Sequence, residues 1–165
     1  MFRFLLCICL VFQIIHVSIQ NIFYLSFTYI LSAKTDEEVK TWFFRQALEC
    51  NKDHPVTADE MQMLQKHKVP DSKNAKCLMA CVFKKTNFID DKGMFNAAGA
   101  SAQSAKDYEG DATKIENSKK LMEMCTKINS DAVSDGNAGC DRALLLFKCF
   151  NENAPKLGFS MAPAR

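Results

Sequence analysis

Residues 77–85 read CLMACVFKK, two cysteines four apart inside an apolar run. In a helix, positions i and i+4 share a face and point in roughly the same direction. Side chains aligned this way rarely meet disulfide geometry with each other, so each thiol is expected to reach a different neighbour. The spacing is not the CxxC of a redox centre or a zinc knuckle either. The stretch reads as one helix, stapled twice.

The cysteines around it extend the same logic. From Cys50 onward the spacing is C-x26-C-x3-C-x43-C-x14-C-x8-C. Nine residues along a helix advance about 900°, which puts Cys140 and Cys149 on opposite sides of one helix. Each must therefore bond a different neighbour. Six cysteines permit 15 pairings. Geometry removes those that join Cys77 to Cys81 or Cys140 to Cys149 and leaves the others open.

The first 33 residues differ in kind from the rest. Arg3 is their only charge, FLLCICLVF (4–12) and IFYLSFTYIL (22–31) are apolar, and Ser32-Ala33 form a small-residue exit before Lys34. This is the pattern of a secretory signal peptide, with cleavage expected after Ala33. The rival is a signal anchor that stays in the bilayer. Cleavage leaves residues 34–165 as one domain and lowers the formal net charge of the chain, +2, by the one unit of Arg3. It also removes Cys7 and Cys9, so that eight cysteines become six. An even count behind an export signal implies three disulfides in an oxidising, extracellular compartment. No like-charge block or basic stripe is present, so nucleic acid is not an expected partner.

Residues 34–165 read as helix throughout. Asp36-Glu37-Glu38 place acids at a helix start, where they suit the macrodipole. Val39, Phe43, Gln46, Ala47 and Cys50 then share one helical face. Thr57-Ala58-Asp59-Glu60 is a capping box that opens a short helix through Met61 and Leu64, closed by Val69-Pro70. A third helix, about 73–86, carries the opening motif and is apolar on nearly every side, which predicts burial. Ile89–Gly93 is a turn, and Ala97–Tyr108 an alanine-rich helix. The stripe Leu121, Cys125, Ile128 marks a fifth helix over Thr113–Asn129. Ser134–Asn137 is a loop, and Cys140–Asn151 forms a sixth helix whose centre, Ala143–Phe147, is apolar all round and expected inside. No strand-period segment of any length occurs. The fold class is all-α, with about six helices.

Catalysis finds little support. His54 and His67 are the only histidines after the leader, expected on loops or helix ends as solvated groups. Neither lies in a nucleophile motif, and no HExxH, GxSxG or paired-cysteine zinc spacing occurs. Six paired cysteines would leave no free thiol after the leader. No enzyme activity, no cofactor and no metal site is expected. Thirteen Phe and eight Met suit a pocket for apolar shapes, because Met is flexible and polarizable. Ordinary packing explains any one of them equally well.

The cysteine pattern resembles that of the insect odorant-binding proteins, the pheromone- and general-odorant-binding family of six-cysteine type, across residues 34–165. The x3 and x8 intervals match the tight constraints of that family, and CLMAC and KCFNENA look typical of it; x43 is slightly long, which predicts a longer loop near Gly93–Asp111. The resemblance implies the pairing Cys50–Cys81, Cys77–Cys140 and Cys125–Cys149. It implies a helical shell around an internal apolar cavity that carries a small hydrophobic ligand (an odorant, pheromone or fatty compound) through extracellular fluid. Carried over through the cysteines, its inward positions are Phe43, Met79, Phe83, Met122, Leu146 and Phe150. Its use of the C-terminus as a wall or lid adds the apolar tail residues Leu157 and Phe159. An olfactory receptor is the further partner that the resemblance suggests, with the chain a monomer or weak homodimer and not held in a membrane after cleavage. The alternative is a saposin-like or venom-type helical protein acting on membranes or proteins. A secreted phospholipase stands further off, since no His-Asp calcium motif is present.

Overall fold

The computed structural model describes residues 33–70 and 72–160. Apart from Ala33, the expected leader lies outside the described residues. Among those described there are six α-helices: α1 Asp36–Cys50, α2 Ala58–Gln65, α3 Lys73–Lys85, α4 Ala97–Asp107, α5 Ala112–Cys125 and α6 Cys140–Asn153. Short 3-10 turns occupy Thr126–Ser130, Gly136–Ala138 and Pro155–Leu157. The nearest approach to a strand is an isolated bridge between Ile89 and Phe95.

Most of the helix starts carry their cap in the sequence. Thr35 and Glu38 form a capping box on α1, and Thr57 and Glu60 form another on α2. Ser72, Asn96 and Asp111 accept the N–H of Ala75, Gly99 and Lys114 at the starts of α3, α4 and α5. Each such cap stabilises its helix by about 0.5–2 kcal/mol. At α6 the work is divided: Gly139 takes the left-handed conformation, and the Asp135 carboxylate accepts the N–H groups of Cys140 and Asp141. Gly139 also packs against Gly93, where any Cβ on Gly93 would collide with the Gly136 carbonyl. Two loops meet there because neither has a side chain.

The doubly stapled helix is now resolved. Cys81 of α3 bonds Cys50 at the end of α1, and Cys77 bonds Cys140 at the start of α6. Cys149, on the other side of α6, bonds Cys125 at the end of α5. These are the pairs that the resemblance implies. Helix α3 packs on α6 and α1 and buries Ala75, Cys77, Leu78, Met79, Ala80, Val82 and Phe83. Helices α4 and α5 pack on each other, and α5 on α6.

Three expectations need correction. The fifth helix stops at Cys125 and tightens into a 3-10 turn instead of running to Asn129. The x43 interval does not lengthen a loop near Gly93–Asp111, because most of that stretch is helix α4, the alanine-rich helix expected over Ala97–Tyr108. Helix α6 is not enclosed all round: Leu144, Leu145 and Phe147 are half-buried, while Arg142 is buried. Its guanidinium is accommodated by the carbonyls of Ile128 and Asp131.

Candidate functional site: an apolar cavity between the helices

All six helices and the tail contribute side chains to a cavity of about 300 Å³. Helix α1 gives Val39, Phe43 and Ala47; α2 gives Leu64; α3 gives Leu78, Met79, Val82 and Phe83. Helix α5 adds Leu121 and Met122, and α6 adds Phe147 and Phe150, with its C-cap Ala154 beside them. The last set has spacings of three and four, one stripe of a helix. Rings then meet from separate elements. Phe150 stands edge-on to Phe83, Phe88 and Phe95 with centroids 6.2, 6.1 and 6.1 Å away. Phe43 meets Phe88 edge-on at 5.5 Å. Such pairs are worth about 0.5–1.5 kcal/mol beyond their buried area.

A hollow of this size is expensive. At ~24 cal/mol per Å³ it costs about 7 kcal/mol. Chain entropy predicts ~3–4 kcal/mol from each disulfide, given loops of 31, 63 and 24 residues. Two of the three staples offset the hollow, so the shell can stay folded while its centre is open.

One end of the cavity is polar. It carries Ser104 and Asp107 of α4 and Tyr108 at its C-cap, Ser118 of α5, and Asp36 and Lys40 of α1. The charges there are matched. Lys34 Nζ lies 2.6 Å from Asp107, Lys40 Nζ 3.5 Å from Glu37, and Lys114 Nζ 2.7 Å from Asp36. The Tyr108 hydroxyl donates to Asp36 Oδ1 at 3.3 Å. Burial, reinforced by the negative charge of Asp36, raises the Tyr108 pKa well above its ordinary value, so the phenol stays protonated.

The tail packs against this end. The turn Pro155–Leu157 and left-handed Gly158 bring Phe159 onto Tyr108, with ring centroids 5.8 Å apart. Lys114 Nζ sits 4.6 Å from the Phe159 centroid, a cation–π contact. The Ser160 N–H donates to Asp36 Oδ2 at 2.7 Å.

Of the residues singled out from sequence, Phe43, Met79, Phe83, Met122, Phe150 and Phe159 share this one cavity. Leu146 and Leu157 are not on its wall. Leu146 lies one residue round α6 from the first position of the cavity stripe and is sealed in the core at 0% exposure. Leu157 packs on the core from outside the cavity, and its carbonyl accepts from Asn117 Nδ2. His67 is not a solvated group: it has a positive φ of 56°, lines the cavity, and stacks on Phe147. Phe88, Ser104, Tyr108 and Ser118 were not singled out. Phe88 follows α3 in a turn, where no periodicity marks a side chain as inward. The two serines read as ordinary polar positions. Their only signal is relational, since Ser104 precedes Tyr108 by four and Ser118 follows Lys114 by four.

Comparison with known proteins agrees with this architecture. The family model described as the PBP/GOBP family matches residues 32–153. General odorant-binding protein 19d of Drosophila melanogaster is 28% identical over 131 residues, 79% of this chain and 84% of that protein. Among solved structures, odorant-binding protein dmelOBP28a of Drosophila melanogaster is similar with a TM-score of 0.58 at 21% identity, covering 76% of this chain and 99% of that one. The fatty acid binding protein OBP56a from the oral disk of the blowfly Phormia regina gives 0.52 at 22% identity, covering 72% and 94%. With its six paired cysteines and its all-helical shell, the chain belongs to the PBP/GOBP family, the insect pheromone- and general-odorant-binding proteins.

Proposed function

We propose that this protein is a secreted carrier that takes up one small, mainly apolar molecule in the cavity and releases it unchanged. The observation that carries this reading is the cavity itself, walled by aromatic and aliphatic groups from five helices and bordered by Phe159 of the tail. At about 30 Å³ per water-sized group, 300 Å³ admits a ligand of on the order of ten non-hydrogen atoms. Micromolar binding is ~8 kcal/mol, or about 0.8 per atom, inside the ceiling of ~1.5 for the best small ligands. The affinity needed for a carrier is therefore within reach of burial alone.

Three disulfides favour an oxidising compartment, and the apolar first 33 residues would serve as the leader that sends the chain there. No helix among the described residues is long and apolar enough to cross a membrane. The family is one of binding proteins and not of enzymes, and the wall holds no paired nucleophile and base that would argue otherwise. The membrane-active alternative needs an apolar face turned outward, whereas the apolar face of α3 is buried.

Two assays on the purified protein test the proposal. Displacement of a naphthylamine fluorescent probe by small apolar compounds is expected with one saturable site, while liposomes loaded with a quenched dye stay intact. Leakage without probe binding would favour the alternative.

A further inference from the structure

The polar end of the cavity holds two hydroxyls that the fold does not use. Ser104 is 7% exposed and Ser118 2% exposed, and both line the cavity. Neither hydroxyl has a hydrogen-bond partner among the described residues, although a helical serine ordinarily bonds the carbonyl one turn back when nothing better is offered. Neither oxygen is among the side-chain atoms sealed away without a partner, so both stay open to the hollow and to whatever fills it. Two unspent hydroxyls on packed helices, α4 and α5, both facing the same hollow, call for a partner inside it.

The charges around them restrict what that partner is. Asp107 lies three residues after Ser104 on α4 and is 3% exposed. Its carboxylate is taken up by Lys34 and by Gln103 Nε2 at 3.1 Å. Asp36 is taken up by Lys114, Ser160 and Tyr108. Lys40, the lysine on the wall, faces Glu37. Every positive charge at this end already stands against a carboxylate, so a ligand carboxylate would meet Asp36 and Asp107 with no cation to spare. In a low-dielectric site that repulsion is strong. A serine hydroxyl donates and accepts, which suits an uncharged oxygen.

We propose that Ser104 and Ser118 bind the neutral oxygen, hydroxyl or carbonyl, of a mono-oxygenated aliphatic ligand whose chain lies among Phe83, Phe88 and Phe150. The cavity thereby selects alcohols and ketones against fatty acids. This rests on the carrier reading and sharpens it.

The test is competition of octanol, octanone, octanoate and octane against the naphthylamine probe at neutral pH. Wild type is compared with S104A, S118A and the double alanine variant. Circular dichroism and the thermal midpoint report folding; the single variants serve if the double does not fold. The double variant is expected to bind octanol and octanone about tenfold more weakly and octane and the probe within twofold of wild type. Wild type is expected to bind octanoate at least tenfold more weakly than octanol. Equal losses for octanol and octane, no loss for either, or octanoate binding as tightly as octanol would overturn the assignment. A wild-type protein that binds neither probe nor any octyl compound would instead overturn the carrier reading beneath it.

Discussion

The Ser160 N–H donates to the Asp36 carboxylate at 2.7 Å, although the two residues lie 124 apart in sequence. The first residue of α1 thereby holds the tail. Lys114 adds a second tie, donating both to Asp36 and to the Gly158 carbonyl at 3.2 Å. If the tail is the lid, D36A should release ligand faster with little change in helical content. A tie worth about 1.4 kcal/mol is a factor of ten, so an off-rate roughly tenfold higher is expected by stopped-flow probe displacement. An unchanged off-rate would mean that the tail merely rests there. Truncation after Leu157 should match D36A.

The same carboxylate sets a pH dependence with a definite sign. Burial pushes the Asp36 pKa up, but hydrogen bonds from Lys114 and Ser160 outweigh it and hold the value below the ordinary 3.8. A group whose pKa is depressed in the docked state favours docking fully above its free value. That contribution is lost as pH falls through the lower, docked value. The Asp36 tie should therefore survive mild acid and fail only in strong acid. Off-rates measured from about pH 7 downward should stay level to about pH 5 and rise below about pH 4, and D36N should lack that acid limb. A rise between pH 7 and 5 would show that another group controls the lid.

Adjacent stripes of α6 should separate packing from binding. Leu146 is fully enclosed and off the cavity wall, whereas Phe150 is half-buried and on it. L146A is expected to lose about 2–5 kcal/mol of stability with probe affinity unchanged. F150A removes a ring that touches three others, yet it borders space already open. Its stability loss should fall below the ~3–5 kcal/mol of an enclosed Phe, and its affinity should change. Urea midpoints and probe titration on both variants check this, and matching behaviour in the two would contradict the placement of the cavity.

The staples should rank by loop length. Cys77–Cys140 closes 63 residues, against 31 and 24 for the others. In the chain-entropy model its removal costs about 4 kcal/mol and theirs somewhat less. C77A/C140A should therefore show the lowest thermal midpoint of the three double variants. A higher midpoint than C125A/C149A would contradict this ranking.

What could be read from the sequence, and what could not, divides along physical lines. Cys77 and Cys81 had to leave α3 toward different helices because i and i+4 share a direction. Cys140 and Cys149 had to leave α6 on opposite sides. The capping box at Thr57 and the acids Asp36–Glu38 that open α1 were legible because both signals are local. The inward set Phe43, Phe83, Met122 and Phe150 came from the resemblance, with periodicity only permitting it. Leu146 shares a helical face with Phe150, four residues on, yet is enclosed in the core, and which inward position borders open space only packing decides. His67 was misjudged because a residue after a short helix reads as solvent, whereas its left-handed backbone turns the ring onto Phe147. The Asp36 hub could not be read at all: it gathers residues 36, 108, 114 and 160, and no local pattern reports a contact between a chain's two ends.

The central claim is that the hollow itself binds the ligand. Its most direct test is to fill it. Met122 is 5% exposed and faces the cavity, so the indole of M122W should occupy space that is otherwise open. Titration of the naphthylamine probe into wild type and M122W, beside their thermal midpoints, is the measurement. The account predicts one saturable site in wild type, binding at least tenfold weaker in M122W, and a midpoint not lower than that of wild type. Unchanged probe affinity in a folded M122W would contradict it.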